Sequence, residues 1–311
     1  MNTFKRKVLF TAVVAGLGVA GTAEAVYLNP NRMGQVLVYP YYTVQSSGSN
    51  AWNTYLSVVN TTTRAKAVKV RILEGKTSAE VLDFNLFLSP NDVWTAAIVP
   101  SATGANAPGM IVTADTSCTR PAIPAGGVVF RNFQYDTPGV TADSMPGRGL
   151  ECTREGYVEM IEMGVLSGTA ASNVTHNSAG VPVNCPAVNG ASQFDPVASG
   201  LIAAPQGGLF GTGTLINVNS GLDATYKADA LDGWSDIVQY TDSGFVTPNL
   251  ANANPPVSVV VRSGGIDAVS GASTLITAYR SEFAGGVVAS AGAQAVASVF
   301  MHNGGQSLIF N

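Results

Sequence analysis

Residues 67–73, AVKVRIL, alternate apolar and basic side chains at a period of two. Successive side chains of a β-strand point to opposite faces, so Val68, Val70 and Ile72 share one side and Lys69, Arg71 and Leu73 the other. That is the pattern of a strand with one buried and one wet face. The alternation recurs on both sides of this stretch. Residues 81–88 (VLDFNLFL) place Asp83 and Asn85 outward, and residues 52–62 (WNTYLSVVNTT) set Tyr55, Ser57 and Val59 against Leu56 and Val58. Ser89-Pro90-Asn91 makes a turn before the strand at 92–99, because Pro presets φ and Asn tolerates the left-handed region. Upstream, residues 35–43 (QVLVYPYYT) read as a strand that Pro40 confines to an edge or a bulge. Five strands in about 65 residues is the spacing of a β-sandwich.

Further along, residues 100–127 read as irregular, a linker between lobes or a long surface loop. Strands are expected at 128–133 and at 156–166 (GYVEMIEMGVL), where Gly164 interrupts a helical reading. In that second strand Val158, Met160 and Leu166 should share a face with Glu162, and Tyr157, Ile161 and Met163 the other with Glu159. Residues 167–208, rich in Asn, Ser, Ala, Gly and Pro, read as a long loop with at most a short helix. More strands are expected at 209–219, 224–230, 257–262, 274–279 and 287–300, and a short helix at 229–240. The fold class expected is therefore all-β: an antiparallel β-sandwich with long irregular loops and less than about 15% helix. It would occupy 26–311 as one domain or as two abutting lobes, 26–100 and 127–311. The alternative is an outer-membrane β-barrel; its strands run about 9–11 residues. Shorter strands, scattered prolines and cysteines in loops weigh against it.

The chain has 311 residues, 46% hydrophobic but only 12% charged, about half the usual charged share. That excludes intrinsic disorder and a coiled coil. Lys5, Arg6 and Lys7 precede an apolar run over 8–20 and then Ala23-Glu24-Ala25. This is a signal peptide (1–25) cut after Ala25; the apolar run is about 13 residues where a membrane span needs about 20. The expected location is outside the cytoplasm: periplasm, outer surface or medium. The G-x-G-x-x-G match at 16–21 lies inside this leader, with no strand before it, and is discarded. No further stretch is apolar enough for a transmembrane helix. Residues 26–154 carry 10 basic and 8 acidic side chains, whereas 155–311 carry only Lys227, Arg262 and Arg280 against 11 acidic ones. That balance excludes a nucleic-acid footprint and suits cations such as Ca²⁺.

The stretches GQVLVYPYYTVQ (34–45), SVVNTTTRAKAVKVRILEGKTSAEVLDFNLFLSPNDVWTAAIVP (57–100) and REGYVEMIEMG (154–164) resemble a family of exported proteobacterial surface proteins with no assigned activity. The resemblance covers about 150 residues, and it implies export from a Gram-negative cell and a β-rich fold. It brings no catalytic residue. Members of that family continue past the position of Phe300, so the ending HNGGQSLIFN reads as a departure consistent with truncation.

Three cysteines in an oxidising compartment imply one disulfide and one remaining thiol. If strands 128–133 and 156–166 are antiparallel neighbours, Cys118 and Cys185 lie at one end. Cys152 is then left over, its thiolate favoured by Arg148 and Arg154. Cysteine spacings of 34 and 33 suit no zinc ligand pair, even with His176 and His302. Those two histidines read as surface or strand-end residues, and the mature chain holds no G-x-S-x-G elbow. Glu159 and Glu162, three apart on a strand, face opposite sides and cannot flank one glycosidic bond. A calcium site is drawn from Asp229, Asp232 and Asp236, with Asp223 and Asp242 in the same acidic run, against a solvated acidic face. Tyr39, Tyr41, Tyr42 and Trp52 are either a sugar-stacking platform or, on the simpler reading, part of the sandwich packing. The expectation is a non-enzymatic surface, structural or adhesive protein without catalytic residues or resident cofactor, partnered by itself or other surface components. The alternative is an extracellular carbohydrate-binding or carbohydrate-processing protein.

Overall fold

The computed structural model describes residues 26–47, 50–76, 78–104, 107–131, 149–190, 194–254, 257–262 and 265–270. Of these, 47% are in strands and 9% in helices, in two large open sheets. The expected strands at 274–279 and 287–300, His302, and the leader with its Ala25 cleavage site lie outside the described residues.

In chain order the first strands are β1 (Val26–Leu28), β2 (Val36–Thr43), β3 (Ser46–Ser47), β4 (Asn50–Ala51), β5 (Asn53–Asn60) and β6 (Lys66–Glu74). Then come β7 (Glu80–Leu88), β8 (Val93–Pro100), β9 (Gly109–Val112), β10 (Cys118–Arg120), β11 (Val128–Val129) and β12 (Glu155–Leu166). The rest are β13 (Ile202–Ala203), β14 (Leu209–Asn217), β15 (Leu222–Lys227), β16 (Asp229–Asp232), β17 (Val257–Arg262) and β18 (Gly265–Ser270). Sheet A has ten strands in the order β10-β7-β6-β12-β2-β16-β1-β17-β18, with β13 beside β12. Sheet B has six, β11-β9-β8-β5-β14-β15, and β3 and β4 form a separate ribbon. The pairing is antiparallel except between β1 and β17, which run parallel. Both sheets mix strands from the two halves of the chain.

The main core lies between the sheets, where Val68, Val70 and Ile72 of β6 meet Trp94 and Ile98 of β8 and Leu56 and Val58 of β5. The opposite face of sheet A is not wet. Lys69, Arg71 and Asn85 are at most 1% exposed. Residues 234–254 cover Lys69 and Asn85: Lys69 Nζ donates to the Asp242 carbonyl at 2.9 Å, and Asn85 Nδ2 to that of Thr241, also at 2.9 Å. Beside this strip, α1 (Gly168–Val174) and α2 (Pro186–Asn189) bury Ala170, Val174 and Val188 on Phe87 and Met163, a second core. The described residues therefore form three layers: sheet B, sheet A and an irregular cover.

Several local expectations need correction. Residues 167–208 hold two short helices and β13, and 100–127 hold β9 and β10. Residues 229–240 begin as β16 instead of a helix. β2 is an interior strand between β12 and β16, so the edge reading of Pro40 fails, whereas the bulge reading holds: Pro40 sits where the β2–β12 register shifts. A second shift, between Glu162 and Gly164, turns Leu166 to the Met163 side, away from Val158 and Met160. Asn91 adopts φ 54° in the 89–92 turn, as its sequence predicts.

Candidate functional site: an open, uncharged sheet face

Sheet A is covered on both sides around β6, β7 and β12, and among the described residues a broad open surface is the outer face of sheet B. Its outward positions on β5, β8 and β14 include Tyr55, Ser57, Val93, Thr95, Ala97, Thr212 and Thr214, and none from β11 through β14 is charged. Tyr55 is 46% exposed and Val93 48%. Hydroxyls on neighbouring strands bond across the face, Ser57 Oγ to Thr212 Oγ1 at 2.7 Å and Thr214 Oγ1 to Thr225 Oγ1 at 3.0 Å. Thr113 Oγ1 donates to the Thr95 carbonyl at 2.6 Å. A shallow groove of about 500 Å³ runs over Tyr55, Ser57, Thr95, Ala97, Thr212 and Thr214. Such a surface offers van der Waals contact and neutral hydrogen bonds, with no ionic selectivity.

A second recess, about 600 Å³, lies on the cover of sheet A between Arg120, Phe194, Asp195, Tyr240, Asp242 and Phe245. Arg120 grips the Asp242 carboxylate through Nε at 2.6 Å and Nη2 at 2.7 Å, which holds that carboxyl below its usual range. Burial, then the charge of Asp242, pushes the Tyr240 phenol up to about 12. Phe245 stands 59% exposed at the rim.

The charged residues of the sheet A face serve the fold. Arg71 bonds Glu80 at 2.8 Å and Glu159 at 2.7 Å, and Lys69 pairs with Asp83 at 2.7 Å. Glu162 faces the other side of the sheet, where it accepts from Lys66 Nζ at 2.6 Å and the amides of Gln206 and Gly207. Burial raises the pKa of both glutamates, while the paired cations oppose it. Spacing alone did separate these two carboxylates onto opposite faces.

His176 is not merely a surface residue. Its Nδ1 lies 2.5 Å from Ser89 Oγ and 3.5 Å from Asp92 Oδ2, and its Nε2 3.3 Å from Thr116 Oγ1. Ser89 and Asp92 share one ring nitrogen, whereas a relay triad needs them on opposite nitrogens. Ser89 is also only 3% exposed. The trio pins the 175–183 hairpin to the β7–β8 turn.

The calcium candidates are dispersed. Asp229 bonds Arg32 at 3.0 Å, Asp232 accepts from the Tyr27 hydroxyl at 3.2 Å, and Asp236 is exposed on the loop beyond. Among the described residues no three His, Cys, Asp or Glu side chains group as metal ligands. Tyr39 and Tyr42 are fully buried and Tyr41 is 7% exposed, so they form no platform.

Cys118 and Cys185 form a disulfide across 67 residues, with Cα atoms 5.2 Å apart. The strand argument for that pairing fails, because β11 and β12 lie in different sheets. What joins the pair is α2 packing against β10 at the sheet edge. Cys152 is buried, and burial raises its thiol pKa, with Lys76 opposing. The Arg154 guanidinium turns instead to the carbonyls of Ala107 and Val44, so the expected accessible thiolate is overturned. No helix among the described residues is long and apolar enough to cross a membrane. The chain matches no protein-family model, no curated protein and no solved structure.

Proposed function

We propose that this is an exported, non-enzymatic surface protein with a structural or adhesive role that assembles with itself. The observation that carries the reading is the outer face of sheet B from β11 through β14, broad, open and uncharged, while the charged side chains of the β6–β12 face pair inside the fold. The Cys118–Cys185 disulfide fits an oxidising compartment, and the resemblance to exported surface proteins points the same way. Fractionation of cells carrying a tagged chain, with N-terminal sequencing, tests export. The expected result is a protein at the surface or in the medium that begins at Val26; a cytoplasmic protein that begins at Met1 overturns it. Attachment is expected to fall when Ala97→Glu places a charge in the groove while the melting temperature holds. Unchanged attachment would remove the face from the reading.

The second reading is extracellular carbohydrate binding. It is favoured by the exposed Phe245 beside the Arg120–Asp242 pair, an aromatic surface next to polar groups. Glycan-array binding lost in Phe245→Ala would support it.

A further inference from the structure

Sheet edges present unpaired backbone groups, and proteins blunt them with very short strands, prolines or bulges. β10 and β11 follow that rule, with three and two residues. β15 does not. It runs six residues, LDATYK, pairs with β14 in unbroken register from Leu222–Asn217 to Lys227–Thr212, and has no proline. Leu222, Asp223, Ala224, Thr225 and Lys227 are all exposed.

We propose that β15 is a self-complementary edge, which pairs antiparallel with β15 of a second copy about a two-fold axis at Thr225. Residues 223, 225 and 227 share one face of the strand. In this register Asp223 of each copy stands opposite Lys227 of the other, so two opposite-charge pairs form, and Thr225 stands opposite Thr225. Neither Asp223 nor Lys227 has an ion-pair partner among the described residues. Thr225 already bonds Thr214 at 3.0 Å, so the hydroxyl row of sheet B would continue across the junction. Two six-stranded sheets then become one twelve-stranded sheet, in which the two Asp223–Lys227 pairs form a seam between the uncharged β11-to-β14 faces of the copies. This is strand addition with a closed two-fold interface. The inference rests on the self-assembly part of the proposed function and names its surface.

Sedimentation velocity of the purified mature protein across the micromolar range tests it. A reversible dimer weakened by salt is expected. Asp223→Lys alone and Lys227→Asp alone each raise its dissociation constant about tenfold, and the double swap D223K/K227D restores it. Both residues are exposed, so far-UV spectra and melting temperature stay unchanged. A monomer at every concentration, a dimer indifferent to both single reversals, or a swap that fails to restore overturns the proposal. Export is read separately by fractionation, so a surface protein that stays monomeric defeats the edge pairing alone.

Discussion

Arg71 is held from two strands, by Glu80 through Nε and Glu159 through Nη1, with its side chain only 2% exposed. Without Glu159 the guanidinium still pairs with Glu80, so the loss is that of one buried charge-assisted hydrogen bond, about 1.5–3 kcal/mol. Glu159→Ala is therefore expected to destabilise the fold by about that much in urea unfolding, and Glu159→Gln by less, since the amide oxygen still accepts from the guanidinium. Asp229 carries a pH dependence. Burial raises its carboxyl from 3.8 to about 6, with Arg32 opposing. Between those values the folded chain binds more protons than the unfolded one. The stabilising contribution is complete below about pH 4 and is lost as pH rises through about 6. Thermal melts across that window should show a downward slope that Asp229→Asn flattens; an unchanged slope would place the titration elsewhere.

At the scale of elements, β12 is the member most tightly fitted, paired along both edges with β6 and β2. Gly156 in it allows no side chain, because an added Cβ would lie 1.9 Å from the Leu73 carbonyl oxygen. Gly156→Ala is expected to cost about 3 kcal/mol, read as a lower urea midpoint with unchanged slope. Period two made β6, β7 and β12 legible as strands and put Val68, Val70 and Ile72 together. It did not reveal the bulge at Gly164, since a register shift depends on the partner strand, and it misjudged the Lys69 face. Alternation reports that two faces differ; it does not report which one meets water. The segment over Lys69 lies 173 residues away, at Asp242. The candidate site was hidden by the same inversion: the charged side of sheet A is inside, and the neutral side of sheet B, with Tyr55 and Ser57, is outside.

For the molecule as a whole, the cover over sheet A is tied down by the Cys118–Cys185 bridge, which closes a span of 67 residues. The chain-entropy model assigns such a closure about 4 kcal/mol, so reduction is expected to lower the melting temperature clearly in scanning calorimetry, while Cys152→Ser does not reproduce that drop. The pairing was legible as one of three, but its cause, α2 against β10, was not, because no local pattern announces a four-residue helix. The strand β1 sets a timetable. Its Tyr27 lies between Asp232 of β16 and Val259 of β17, more than 200 residues downstream, and Val26 is wholly enclosed. The earliest-made strand of the sheet must wait, unpaired, for some of the last to be synthesised. Maturation is thus a closing event and not a progressive one, slow as non-local pairings are. A ribosome stalled before Ala230 would leave a chain unable to seat its own beginning.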